Sequence, residues 1–288
     1  MSAVVVTGSR GFIGSHFLEY AGFENAILID RPEADLRGEC LRGIADVDAI
    51  FHFAARMRMD GDVPASEYVL DNILGTTNLL EAARRIMTSN GRFINFNSVE
   101  ALGDPSSPYA ASKAAAAYMG RAFYRSHRLP VINVFCTNCF GERQNRKNFV
   151  PAVVRAVMKK QIVGIYADAT GNSGSRIWTY AKNAAAACIY LYLHGRAGEP
   201  YTIFNGIKLT NLEMAERIAA ILDLPLDAKL INANKERPGY DFQYAPESLP
   251  RNPVVGWLPP FEFESSLRQT VNWYRDEIER AWNEGGDF

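Results

Sequence analysis

The stretch Ala3–His16, AVVVTGSRGFIGSH, decides the fold. An apolar run ends at Thr7, three glycines follow at Gly8, Gly11 and Gly14, and a helical pattern opens across the last of them. A strand that turns sharply into a helix needs small residues at the turn, and the free amides and dipole of that helix N-terminus attract a phosphate. A glycine pattern alone is a weak signal. Here the next apolar run, AILID, ends at Asp30, about 20 residues further on, where a carboxylate accepts hydrogen bonds from ribose hydroxyls. Together these features read as a dinucleotide site, with Gly8, Gly11, Phe12, Ile13 and Gly14 at the pyrophosphate and Asp30 at the ribose. A carboxylate there repels a 2′-phosphate, so NAD is favoured over NADP. The neighbouring Arg31 pulls the other way.

Outward from this stretch, short apolar runs alternate with helical patterns. AVVVT precedes IGSHFLEYAG; AILID follows; AIFHFA precedes VLDNILGTTNLLEAARRIM; RFINFNS precedes YAASKAAAAYMGRAFYRSH; VINVFC closes the series. Such alternation is the sequence form of repeated βαβ units. The apolar runs lack period-two alternation, as strands covered on both faces do. The expected class is α/β, a Rossmann-like doubly wound parallel sheet over residues 1–142 with a smaller C-terminal substrate domain. Residues 143–177 and 206–288 are assigned to that smaller domain, and 178–205, a helix and then YTIFN, to a return into the first.

Composition narrows the function. Lys and Arg total 31 against 32 Asp and Glu, a formal charge of -1, so nothing global attracts nucleic acid or anionic lipid and a small-molecule partner is expected. No apolar run approaches the ~20 residues that span a bilayer, and MSAVVVTGS carries no leader pattern, so a cytoplasmic location is expected. Cys40, Cys136, Cys139 and Cys188 are expected as reduced thiols. Cys136 and Cys139 have Cys-x-x-Cys spacing, but in a strand an i, i+3 pair points to opposite faces, so no metal is expected.

TGSRGFIGSH, FHFAA, DNILGTTNLLEAAR, NFNSVEALG, YAASKAAAA, TNCFGE, SRIWTYAKNAA and RPGYD resemble, in order, landmarks of the extended short-chain dehydrogenase/reductases, particularly NAD-dependent nucleotide-sugar epimerases and 4,6-dehydratases. The strongest element is Tyr109-x-x-x-Lys113. Residues i and i+4 share a helix face, which sets an ammonium beside a phenol. That cation favours phenolate, so Tyr109 can act as a base nearer neutral pH than a free phenol. Both residues are also expected to touch the cofactor. The resemblance implies Ser98 as the third catalytic member, donating to the same substrate oxygen. It further implies Asp35 and Leu36 at the adenine, the turn His52–Ala55, with Ala54, beside the cofactor, and Asn72 as a brace for the catalytic helix. Asn138, Arg176 and Arg237 match positions that hold the sugar and diphosphate of a nucleotide sugar, work that suits planar guanidinium groups. The helices from Tyr68 and from Tyr109 match those that pair in the family's homodimers.

The pair Tyr109 and Lys113 identifies a first step, oxidation of the sugar C4 hydroxyl to a ketone. The fate of that 4-keto sugar depends on residues 98–100, Ser-Val-Glu. By resemblance Glu100 removes the C5 proton, which favours a 4,6-dehydratase. Val99 stands where an acid would protonate a departing 6-hydroxyl, so Glu100 would serve as both base and acid. A nucleotide-sugar 4-epimerase, a uronate decarboxylase, a net dehydrogenase or reductase, and a non-catalytic cofactor-binding protein stay open. Only ten residues separate Ser98 from Tyr109, where the family carries a longer loop, so an open active site or an atypical substrate is expected.

Overall fold

The computed structural model describes residues 3–57, 63–203, 206–233, 254 and 256–286. These divide into two compact units. The first takes its residues from Met1–Cys136, Ala184–Ile203 and Pro246–Leu258, the second from Thr137–Asn183, Phe204–Ala245 and Pro259–Phe288. The sequence put the crossover at 142 and the return at 178–205.

The first unit is built on a six-stranded parallel sheet. Its strands are β1 (Ala3–Thr7), β2 (Ile27–Ile29), β3 (Val47–His52), β4 (Met87–Ser98), β5 (Val131–Cys136) and, after an excursion into the second unit, β9 (Pro200–Ile203). The order across the sheet is β2-β1-β3-β4-β5-β9. The sheet therefore grows in one direction from β1 to β2 and in the other from β1 to β3. At such a switch of direction the carboxyl ends of neighbouring strands open a crevice for a ligand. The α/β class and the Rossmann-like parallel sheet expected from sequence are what the chain forms.

Both faces of this sheet are covered, which explains the missing period-two pattern. Ile50 and Phe51 are adjacent in β3 and both fully buried. Phe51 meets Phe17 of α1 (Phe12–Ala21) with ring centroids 4.4 Å apart and Tyr192 of α6 (Ala181–His194) at 5.6 Å. Ile50 points the other way, into a cluster with Val5, Phe93, Leu79 and Leu80. The two leucines belong to α3 (Gly75–Ile86), whose buried residues at 75, 76, 79, 80, 82, 83 and 86 trace one helical stripe. Each such leucine contributes roughly 1.5–3 kcal/mol by leaving water.

A short helix, α2 (Ala65–Tyr68), leads through a π-helical stretch, Val69–Leu74, into α3. The helix α4 (Pro108–His127) lies between β4 and β5 in sequence. Its start is fixed locally, because Ser107 caps it by accepting from the Ala110 amide and Pro108 occupies the first turn. Its approach to the sheet is fixed by small residues. A Cβ at Gly120 would stand 3.0 Å from Val131 and 3.1 Å from Asn133, and the buried Asn95 and Asn133 amides donate to the Ala116 and Ala117 carbonyls.

The second unit holds two small sheets. One is β10-β8-β6, made from β6 (Asn138–Phe140), β8 (Ser175–Tyr180) and β10 (Ile207–Thr210); the other pairs β7 (Val163–Ala167) with β11 (Ala228–Asn232). Helices α5 (Phe149–Met158), α7 (Asn211–Leu222) and α8 (Phe263–Asn283) pack into one core through residues such as Val154, Met214, Ile218 and Val271. Because β6 starts two residues after β5 ends and pairs with β8, the TNCFG segment belongs to this unit. No helix among the described residues is long and apolar enough to cross a membrane.

Candidate active site

The glycine loop sits where β1 and β3 end. Gly8 has φ +69°, a conformation that favours glycine, and a Cβ there would lie 2.5 Å from the Ala54 amide nitrogen. Gly14 is tighter still, since its Cβ would stand 2.1 Å from the Gly8 carbonyl oxygen. The loop is thus a bare backbone cradle closing onto the N-terminus of α1, which is what a pyrophosphate requires. Phe12 and Ile13, half-buried, form the first turn of that helix.

Asp30 follows β2 and its carboxylate is clasped by this loop. It accepts from the Arg10 amide at 2.7 Å, from the Ser9 hydroxyl at 3.4 Å and from the Arg31 amide at 3.0 Å. Asp35 accepts from the Arg37 amide and lies 3.3 Å from the Arg31 guanidinium. Leu36 is buried beside Gly75, and its carbonyl accepts from Asn78. Gly8, Gly11, Gly14, Asp30 and Ala54 are therefore brought together at the switch of the sheet, with Asp35 and Leu36 on the chain just beyond Asp30. These residues fit a dinucleotide, and the fit rests on the cradle that a single Cβ at position 14 would fill.

Beneath the loop runs a directed chain of hydrogen bonds. The Ala54 amide donates to Thr7 Oγ1, which lies 2.7 Å from His52 Nδ1; His52 Nε2 lies 2.9 Å from Thr76 Oγ1, which donates to the Asn72 carbonyl. Only the Nε2–H tautomer satisfies both ends. Burial and the charge of Lys113 push the His52 pKa down to about 3. His52 is a neutral brace, and no proton-transfer role is assigned to it.

The catalytic candidates come from β4 and α4. Ser98 is the last residue of β4, and its hydroxyl accepts from the Glu100 amide at 3.2 Å, capping a 3-10 turn over Val99–Ala101. That turn packs on α4. Glu100 is half-buried there, whereas Val99 is 3 % exposed and points into protein. On α4, Tyr109 is half-exposed with its ring 6.3 Å from that of Tyr68, and Lys113, one turn on, is buried with its ammonium donating to the Phe96 carbonyl at 2.7 Å. Burial lowers the Lys113 pKa to about 8. Asn72, inside the π-helical stretch and 1 % exposed, accepts from the Arg56 amide, donates to the Arg56 carbonyl and donates to Ser112 Oγ, which donates in turn to the Tyr109 carbonyl.

Asn138 and Arg176 lie in the second unit on neighbouring strands. Asn138 pairs with Trp178 in register, two residues from Arg176, which is buried and donates to the Ser175 carbonyl. Arg237 lies outside the described residues. Among the described residues no group of three His, Cys, Asp or Glu side chains could hold a metal.

Sequence reading missed a charge cluster beside Asp30. Asp71, 8 % exposed, accepts from Arg37 and Arg56 at 2.6 Å each and also pairs with Arg31. Burial alone would raise its pKa, but hydrogen bonds from Arg37, Arg31 and Arg56 outweigh that and hold it at about 2. The signal was a mix of charges, Arg31 and Arg37 after the second strand and Arg56, Glu67 and Asp71 after the third, which looks like an ordinary solvated surface.

A parallel sheet with a glycine loop at its switch, an acid after the second strand, and a Ser-Tyr-Lys set at the next crossover define a nucleotide-dependent enzyme of the short-chain dehydrogenase/reductase class. The family model described as "NAD dependent epimerase/dehydratase family" matches residues 4–205, and the chain belongs to that family. It is an enzyme of that kind, and NAD is its cofactor. A dTDP-glucose 4,6-dehydratase of Streptomyces niveus is 33% identical over 324 aligned positions, covering 97% of this chain and 94% of the relative. That alignment is longer than the chain, so this protein is the shorter of the two. The crystal structure of DesIV (dTDP-glucose 4,6-dehydratase) from Streptomyces venezuelae with NAD and TYD bound superposes with a TM-score of 0.83 at 27% identity, covering 96% of this chain and 98% of that one. UDP-N-acetylglucosamine 4-epimerase from Methanobrevibacter ruminantium gives a TM-score of 0.80 at 25% identity, covering 96% and 99%.

Proposed function

We propose that this chain is a nucleotide-sugar 4,6-dehydratase, with dTDP-glucose the first substrate to test. The observation that carries the reading is Glu100 on the turn directly after Ser98, packed against the helix that bears Tyr109 and Lys113. The glycine loop and Asp30 would hold NAD, whose chemistry would be to accept a hydride from the sugar C4 and give it back at C6, with no net redox change.

Tyr109 accepts the proton of the 4-hydroxyl. The Lys113 ammonium favours the phenolate, and Ser98 donates a hydrogen bond to the same oxygen. The ketone at C4 acidifies the C5 proton, which Glu100 removes. Val99 is apolar and turned into protein, so Glu100 passes that proton to the C6 hydroxyl, which leaves as water; after hydride addition at C6, C5 takes a solvent proton relayed through Glu100, and Tyr109 returns the 4-hydroxyl proton to solvent. Asn138, Arg176 and Arg237 are assigned to the sugar and its diphosphate, because planar guanidinium groups suit bidentate phosphate contacts.

Val99 also favours a second reading, a 4-epimerase, because a site without an acid next to Glu100 protonates a leaving hydroxyl poorly. Incubation with dTDP-glucose and with UDP sugars, followed by product mass, separates the two. A product lighter by one water supports dehydration; unchanged mass with inverted C4 supports epimerisation. A product lighter by carbon dioxide from a uronate substrate overturns both.

We also assign a homodimer through the helices around Val69–Leu74 and α4, where Val69, Leu74 and Tyr118 are exposed, the last at 69%. Sedimentation equilibrium of the wild type against Tyr118→Glu tests it, and a monomeric wild type overturns it. The four cysteines, none of them in a disulfide, fit a reducing cytoplasm, which cell fractionation tests.

A further inference from the structure

The two residues that flank Asp30 in space, Arg10 and Arg31, each carry a guanidinium group, and either would suit the 2′-phosphate of NADP if free. The structure gives them unequal restraints. Arg10 is paired with Glu33 through two contacts of 2.8 Å, but both side chains are more than 60% exposed. Such an exposed, solvent-screened pair is weak, and a phosphate competes with it easily. Arg31 faces two carboxylates, Asp35 at 3.3 Å and Asp71.

Asp71 differs from Glu33 in burial and in what it organises. Its carboxylate is 8 % exposed and anchors Arg37 and Arg56 as well, both of which also reach Glu67. Three guanidinium groups thus meet three carboxylates, and the rim next to Asp30 is neutral. Take away the charge on Asp71 and the same rim carries three cations against two anions, with Arg31 left to the exposed Asp35.

We propose that Asp71 is a specificity-determining residue of the cofactor site, which by pairing Arg31 keeps an arginine cluster beside Asp30 from receiving a 2′-phosphate. The inference rests on the assignment of Asp30 and the glycine loop to NAD. Asp30 supplies the contact for the ribose hydroxyl, while Asp71 disarms Arg31, the one of the two flanking cations that a buried carboxylate reaches, and so lowers the affinity for a 2′-phosphate that Arg10 alone would leave.

The test is titration calorimetry with NAD and with NADP on the wild type, Asp71→Asn, Arg31→Ala and the double variant, each first checked for an intact thermal transition. Asp71→Asn is expected to bind NADP about tenfold more tightly, with NAD changed by less than about threefold, and Arg31→Ala in that background is expected to remove the gain. In the wild-type background Arg31→Ala is expected to leave NADP affinity within about twofold. This arm holds even if Asp71→Asn fails to fold, since a loss of about fivefold or more would show Arg31 already available to phosphate and overturn the proposal. No NADP gain in a folded Asp71→Asn overturns the role of Asp71 while leaving the cofactor site intact. A wild type that binds neither nucleotide overturns the site assignment itself.

Discussion

The Lys113 ammonium donates to the Phe96 carbonyl at 2.7 Å, tying α4, the helix that bears the proposed base Tyr109, to strand β4 two residues before Ser98. The contact satisfies one of three ammonium donors and leaves the charge in protein rather than water, so burial brings the Lys113 pKa from 10.5 to about 8. Above pH 8 the cofactor-free enzyme loses the cation that supports a Tyr109 phenolate. The expected profile of kcat/KM falls on the alkaline side, and in Lys113→Arg, whose guanidinium keeps its proton, that limb is absent although the rate is lower. A falling limb unchanged in Lys113→Arg would assign it elsewhere. The same shift has a stability consequence. The unfolded chain holds the lysine proton up to about pH 10.5 and the folded chain releases it from about 8, so stability rises across that window, by about 3 kcal/mol for this group. Urea titrations at pH 8 and 10.5 on wild type and Lys113→Met would show the rise in the first alone.

Tyr109 and Glu100 act at different atoms in the proposed reaction, and isotopes separate them. Tyr109→Phe removes the base for the first oxidation, and turnover should fall by 10²–10⁴ or more while NAD affinity stays near wild type. Glu100→Gln retains that base. It should stop deuterium from solvent entering at C5 while the C4 hydroxyl is still oxidised. C5 exchange that persists in Glu100→Gln would point to another base, and normal turnover in Tyr109→Phe would remove the catalytic assignment.

The parallel sheet was legible because it rests on local signals. Gly8 and Gly11 between β1 and α1, Gly14 in the first turn of that helix and an acid closing AILID each act within a few residues, and βαβ alternation then leaves few topologies. The boundary between units was less legible, since Cys136 and Asn138 stand two residues apart in one strand-like segment, VINVFCTN, and only pairing partners, β9 for one strand and β8 for the other, separate them. The Arg31–Asp71 pair spans 40 residues, and such a pairing depends on how the loop after β2 meets the helix after β3. Asn72 was visible only through resemblance, because a polar residue at a helix interior gives no hint that a π-helical stretch turns its amide inward.

That amide makes the next prediction quantitative. Asn72 satisfies both the N–H and the carbonyl of Arg56, at 2.7 and 3.0 Å, and reaches Ser112 at 2.8 Å. Asn72→Ala leaves those two half-buried backbone groups without their partner, at a cost of up to about 1–3 kcal/mol each, less where water reaches them. For a chain of this size that lowers the thermal midpoint by roughly 2–4 °C per kcal/mol. Because Ser112 also bonds the Tyr109 carbonyl, kcat should fall more than KM rises. A variant with the lower midpoint and unchanged kcat would make Asn72 a stability residue alone.

The glycine loop offers a graded test of the cofactor cradle. A methyl group at position 14 would stand 2.1 Å from the Gly8 carbonyl oxygen and 3.0 Å from the Ser9 Cα, backbone atoms that move only if α1 shifts away from the loop. At position 11 the same group would meet only the Gly8 carbonyl group, its oxygen at 3.1 Å, a contact that a few tenths of an ångström relieve. Gly14→Ala should therefore lose NAD affinity by much more than Gly11→Ala, and its thermal midpoint should drop as well. If α1 moves, the Arg10 amide is drawn from the Asp30 carboxylate with it, so Gly14→Ala should also weaken binding of adenosine alone, which has no phosphate. Equal effects of the two substitutions on NAD, with adenosine binding unchanged in both, would show that the loop tolerates a side chain at position 14 and that the cradle does not set the affinity.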